Sequence, residues 1–275
     1  MTGGPIEAAA AKLAAPVAKE SWRQSRRLYQ RLQPDHGPIG QCPNLQRFHG
    51  DRVVLMVGVA PSRSAKYVTT SDFGRASQQI GEAVFVDLAR KTDFTGRDRV
   101  RLKVQDADDP ISTPRHILEF YPSGFMFLQW GLDVSGGPDG IEPFPLSEFI
   151  GVLRRVHSVV QLPAYQQLHA KRVGEGRRRL DWRVGVSGSL STPNGSLYVS
   201  EFDTQHAADF ERAERHDLLG RPYGFAPREL TGLKPAAPFK DMLRPIIEDL
   251  VANSGFVDPH GATEVIMADH KADWS

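Results

Sequence analysis

From Val53 to Val59 the chain is an unbroken β-branched and apolar run that ends at Pro61, the pattern of a strand buried on both faces. Phe73, Ala76, Ile80, Val84 and Leu88 then recur at spacings of three and four, which puts them on one face of a helix. Thr70, Ser71 and Asp72 stand just ahead of that stripe and offer an N-cap and an acidic first turn. Arg99 to Gln105 alternates Val100, Leu102 and Val104 with charged or polar side chains, so a half-exposed strand is expected there.

Two hairpins follow from the same reading. His116 to Tyr121 and Phe125 to Leu132 are aromatic-rich runs separated by Pro122, Ser123 and Gly124, which predicts a β-hairpin with a three-residue loop. Leu180, Trp182, Val184 and Val186 alternate with Asp181, Arg183 and Gly185, and Asn194-Gly195 precedes Leu197 to Phe202. Asn-Gly favours a tight hairpin turn, so these two segments are expected to pair. Between the hairpins a helix from Ser147 carries Phe149, Ile150, Leu153, Val156 and Val160 on one face, with a shorter helix after Pro163. Ala207 to Leu218 and Met242 to Val251 read as further helices, the second despite Pro245 and with Gly255 beyond its end. Gly220 to Pro238 is rich in proline and glycine and reads as a long loop.

Upstream, residues 5 to 33 are good helix formers broken at Pro16. Trp22, Leu28, Tyr29 and Leu32 fall on one arc of that helix, opposite Arg23, Arg27 and Arg31. The apolar arc is the expected surface for self-association, a partner or the chain's own sheet. The expected organisation is a helical N-terminal arm (1–33), a linker or ordered loop (34–50), an α+β domain (51–256) and a C-terminal tail (257–275). Hairpins outnumber chances for parallel crossovers, so the fold class is α+β, with a mostly antiparallel or mixed sheet and helices on one face.

Composition narrows the partners. The 34 Lys and Arg against 33 Asp and Glu leave a net charge of +1, too little to set up a global field that draws in nucleic acid or anionic lipid. Cys42 is the single cysteine, which rules out a disulfide within the chain and points to a reducing compartment, with cytoplasmic location expected. No apolar run reaches the roughly 18 residues of a membrane span, and no signal-peptide pattern opens the chain, so no integral membrane association is expected. No motif calls for a cofactor.

The candidate chemistry is sparse. Gly185-Val186-Ser187-Gly188-Ser189 falls one residue short of a nucleophile elbow, and that elbow requires a strand-to-helix turn. Gly58 to Lys66 follows a buried strand as a phosphate loop does, but lacks a second glycine before Lys66, and Pro61 removes an amide. Asp203, His206, Asp209, Glu211 and His216 lie on or beside one predicted helix without sharing a face. His116 and His157 sit within apolar elements, where packed histidines are the common case. Near the C-terminus, His260 with Glu264 and Asp269 with His270 offer only loose chelation. Phe120, Tyr121, Phe125, Phe127 and Trp130 are expected to fill the sheet's core.

Basic residues cluster as Arg23, Arg26, Arg27 and Arg31, as Arg154 and Arg155, and as Arg177, Arg178 and Arg179. If the last two groups converge, they form a patch for phosphates or an acidic partner.

Several stretches together look like the C-terminal half of actinobacterial proteins that begin with a Schlafen-type AlbA-like domain. They are Asp51-Arg-Val-Val-Leu-Met-Val before Pro61, Tyr67-Val-Thr-Thr, Ser123-Gly124, and Pro145-Leu-Ser-Glu-Phe-Ile before Leu153-Arg-Arg. The resemblance implies a regulatory, nonenzymatic bacterial protein. The AlbA-like, nucleic-acid-binding module itself has no counterpart here, so its function passes to no residue of this chain. The expectation is a binding or regulatory module that acts through a macromolecule: a protein partner or homo-oligomer first, nucleic acid second. The competing expectation is a hydrolase-type enzyme with a pocket near the 220–238 loop.

Overall fold

A computed structural model describes residues 52–62, 70–86, 90–95, 100–104, 116–122, 124–132, 142–166, 179–189, 197–198, 225–252 and 258–270. The N-terminal arm with Trp22, Leu28, Tyr29 and Leu32, the 34–50 segment and the helix expected over Ala207 to Leu218 all lie outside these residues.

The elements in chain order are β1 (Arg52–Pro61), α1 (Thr70–Val84), β2 (Arg90–Thr95), β3 (Val100–Val104), β4 (His116–Phe120), β5 (Met126–Leu132), β6 (Glu142–Pro143), α2 (Leu146–Gln161), β7 (Leu180–Ser189), β8 (Leu197–Tyr198), β9 (Phe225–Leu233), α3 (Phe239–Ala252) and α4 (Pro259–Asp269). Seven strands form one sheet in the order β2-β3-β4-β5-β1-β7-β9, every neighbouring pair antiparallel. The α+β architecture expected from the sequence is therefore the observed one.

β1 occupies an interior position because its apolar run satisfies both faces, and Leu55 through Pro61 are all buried. On β1, β5 and β7, one alternate set of side chains belongs to the main core: Leu55, Val57 and Val59; Met126, Leu128, Trp130 and Leu132; Leu180, Trp182, Val184 and Val186. The helices seal that face with Phe73, Ile80 and Val84 from α1, Phe149, Leu153 and Val156 from α2, Met242, Ile246 and Leu250 from α3, and Ile266 from α4. Each such side chain contributes roughly 1.5–3 kcal/mol when fully buried, which makes this layer the main source of stability.

The first hairpin forms as expected. Tyr121 N donates to Phe125 O at 2.9 Å and Gly124 N to Tyr121 O at 2.8 Å. Gly124 takes φ 82, a left-handed conformation that closes a three-residue loop and suits glycine.

Four expectations are corrected. First, the 220–238 segment is not a continuous loop, because β9 runs from Phe225 to Leu233 along the sheet edge. Its register shifts against β7 around Pro227 and Gly232. An edge strand tolerates both residues at bulges, where a central strand does not. Second, β8 pairs in parallel with β6, not with β7. β7 is already bonded to β1 along its length and to β9 from Leu180 to Val186, which leaves no edge for a hairpin partner there. Third, the tail expected over 257–275 contains α4. Asp258 caps that helix by accepting from Gly261 N at 2.9 Å, with Pro259 at its start. Fourth, β3 and β7 are buried on both faces over most of their length, including Arg101, Asp181 and Arg183, which alternation alone placed toward solvent.

Candidate functional site

The sheet face turned away from the helix core collects most of the buried charge of the described residues. Strand alternation puts Arg101, Glu119, Phe127, Gly58 and Arg183 in register on that face, one from each of β3, β4, β5, β1 and β7. Arg101 is 8%, Glu119 1% and Arg183 2% exposed. Arg101 Nε lies 3.7 Å from Glu119 Oε1, and the phenol of Tyr121 donates to Glu119 Oε2 at 3.1 Å. On the other flank Arg183 stands opposite Glu229 in the ladder. On β3 and β4 opposite charges thus face each other, the arrangement that makes buried charge tolerable inside a protein. Phe127 lies across from Gly58, where an aromatic ring can cover the missing side chain. One row along the strands, Gln129 is 0% exposed, and neither its amide nitrogen nor its carbonyl oxygen has a hydrogen-bond partner.

The corner where β1, β7 and β9 meet is tied by Asp181. Its Oδ1 accepts from Ser62 Oγ at 2.5 Å and from Gly232 N at 3.1 Å. Ser62 N also donates to Arg179 O at 3.0 Å. Gly232 has φ 69, so its amide reaches the carboxylate through a conformation other residues resist.

On the helix side, Trp130 is the centre of a second polar group. The His116 ring stacks on it at 3.7 Å, Phe85 lies at 6.2 Å, and its Nε1 donates to Glu148 Oε1 at 2.8 Å. Arg155 sits over the indole at 5.6 Å and donates to Val84 O at 3.3 Å. Val84 ends α1, so this guanidinium meets the negative end of a helix.

Of the expected basic patch, Arg154, Arg155 and Arg179 are among the described residues. Arg154 is exposed on α2, while Arg155 serves the Trp130 group. Trp130 is opposite Leu55, whereas Leu180, next to Arg179, is opposite Pro61. Arg177 and Arg178 lie outside the described residues.

Other candidates resolve into structural positions. Ser187 is within β7, paired with Val54, so no strand-to-helix elbow exists at that point. Gly58 is inside β1 and not in a phosphate loop. Glu264 pairs with Arg244 on the surface. Asp203, His206, Asp209, Glu211 and His216 lie outside the described residues. Among the described residues no three His, Cys, Asp or Glu side chains come close enough to hold a metal ion, and no helix is long and apolar enough to cross a membrane. The sequence reading missed the Asp181 tie and the Arg101–Glu119 pair. Their one sequence signal was a charged residue inside a strand with apolar neighbours on both sides. Compared with known protein families, curated proteins and solved structures, the chain matches none of them.

Proposed function

We propose that this is a nonenzymatic bacterial binding or regulatory module that works through contacts with a protein, either a partner or a second copy of itself. The observation that carries this reading is the fate of the arginines. Arg155 is engaged with Val84 O and Trp130, and Arg101 with Glu119. Phosphate recognition needs cations held toward the ligand in excess over carboxylates, and these arginines stand against carboxylates or a carbonyl of their own chain. A protein contact needs no such excess; it draws on aromatic and apolar anchors, and the sequence offers these in Trp22, Leu28, Tyr29 and Leu32. The resemblance to the C-terminal half of AlbA-containing actinobacterial proteins inclines the same way.

Sedimentation velocity on the full chain and on a Leu28→Glu, Leu32→Glu variant tests the proposal, together with oligonucleotide titrations in low and moderate salt. The reading expects the variant to sediment differently from the parent, or to lose a co-purifying protein. It also expects no salt-sensitive binding to single- or double-stranded oligonucleotides. Unchanged sedimentation with salt-dependent oligonucleotide binding replaces this reading with the nucleic-acid one.

A further inference from the structure

Gln129 stands in the middle of β5, on the sheet face turned away from the helix core. Its cross-strand neighbours are Met56 on β1 and Ile117 on β4, both buried, and Phe127 and Gly131 share its face along the strand. The side chain is 0% exposed, and neither Nε2 nor Oε1 has a hydrogen-bond partner. A buried donor or acceptor left unmade costs its full desolvation penalty, so leucine or methionine would suit these apolar neighbours better. An amide kept where the fold makes no bond with it points to a partner from outside the chain.

Two glycines beside it thin the side-chain layer. Gly131 lies next to Gln129 along β5, and Gly185 lies across from Met56 on β7. Around Gly131 the pairing of β5 with β1 runs without a register shift, so this glycine does not mark a bulge there. A glycine in such a place lets another molecule approach the sheet closely. Phe127 adds an aromatic ring one row along, and Met56 and Ile117 add apolar flanks, the composition of a small-molecule pocket with a single polar anchor. In the same row Lys103 on β3 is partly exposed. Solvent therefore reaches this face two strands away from Gln129, roughly 10 Å at the spacing of paired strands.

We infer that Gln129 anchors a site for a small planar molecule whose edge carries an N–H donor next to a carbonyl or ring-nitrogen acceptor, the edge found on nucleobases and primary carboxamides. Gln129 Oε1 accepts the N–H of the ligand while Nε2 donates to its acceptor, the two-bond pairing that a glutamine amide makes with an adenine edge. Met56, Ile117 and Phe127 pack on the flat remainder. Both bonds gain from the low polarity around the amide, where water does not compete for them. The site goes beyond the protein contacts proposed above, and its test does not read the oligomeric state.

NMR titration of the full chain, carrying isotope-labelled glutamine side chains, with adenine, uracil and nicotinamide tests this and separates a base edge from a carboxamide. At least one of these probes is expected to saturate and to move the Gln129 amide resonances, which are identified by their absence in Gln129→Leu. That variant should bind the same probe about tenfold more weakly or worse, the discrimination of a bidentate amide pair. Its melting temperature should stay at or above that of the parent, because no bond within the fold is lost. Gln129→Met, which matches glutamine in length, repeats the comparison with less change of shape. Three results overturn the inference: no probe moves the Gln129 amide, the probe binds the variants as it binds the parent, or both variants melt well below the parent because the amide is bonded within the fold.

Discussion

Trp130 on β5 donates its indole N–H to Glu148 in the first turn of α2 at 2.8 Å, so a single hydrogen bond joins the middle of the sheet to the helix that covers it. The same ring carries His116 on one side and Arg155 within cation–π range. Trp130→Ala should lower unfolding stability by about 3–5 kcal/mol, the cost of emptying a large core site. Trp130→Phe keeps most of the packing and loses the donor, so about 1–2 kcal/mol is expected. Urea denaturation of the two variants checks the ratio; a Trp130→Phe variant as stable as the parent would show that the bond to Glu148 contributes nothing.

Two ion pairs in this chain should behave in opposite ways. Arg101 and Glu119 are 10% and 2% exposed as side chains, whereas Arg244 and Glu264 are 41% and 47% exposed. Glu119→Ala strands a guanidinium beneath the sheet and should cost about 3–5 kcal/mol. The Arg244 hydrogen bond holds the Glu264 carboxyl below the ordinary carboxylate range, yet solvent screens the pair. Glu264→Ala should leave the urea midpoint where it is, and added salt should not change that result.

Tyr165 follows α2 and donates its buried phenol to Gly124 O at 2.9 Å, and burial pushes that phenol above its ordinary range. It pins the tip of the first hairpin to the helix layer. Tyr165→Phe should cost about 1–2 kcal/mol, since a buried carbonyl loses its donor. Gly124→Ala should cost a further 1–2 kcal/mol or so for the left-handed backbone. Thermal melts of the single and double variants would show coupling between the two, because both act on one loop.

Asp181 should be the most sensitive residue of the β1-β7-β9 corner. Asp181→Ala removes the acceptor of Ser62 Oγ and Gly232 N together, a loss of roughly 2–4 kcal/mol for two bonds to one buried carboxylate. Ser62→Ala removes one of them and should cost about 1 kcal/mol. Hydrogen exchange in β9 should rise in the first variant and stay close to the parent in the second. Equal exchange in both would mean that the edge strand is held without this tie.

Local chemistry was enough to read several elements from the sequence. The apolar run of β1, the stripes of α1, α2 and α3, and the hairpin closed by Gly124 each depend on neighbours within a few residues, so their patterns are written directly in the chain. α4 was missed although Asp258-Pro259 is a helix-start signal, because a short terminal segment reads as a tail unless something is known to receive its apolar side. Tertiary structure decided the rest. β9 has the proline and glycine of a loop and is a strand because the free edge of β7 supplies its hydrogen bonds. β8 pairs with β6 because β7 has both neighbours already. Arg101 alternates with apolar residues as a solvent-facing side chain does, and only the register across the sheet sets it opposite Glu119. Alternation along a strand separates its two faces, but which strand lies alongside is a long-range choice, and it fixes whether a charge meets water, a ligand or its counter-charge.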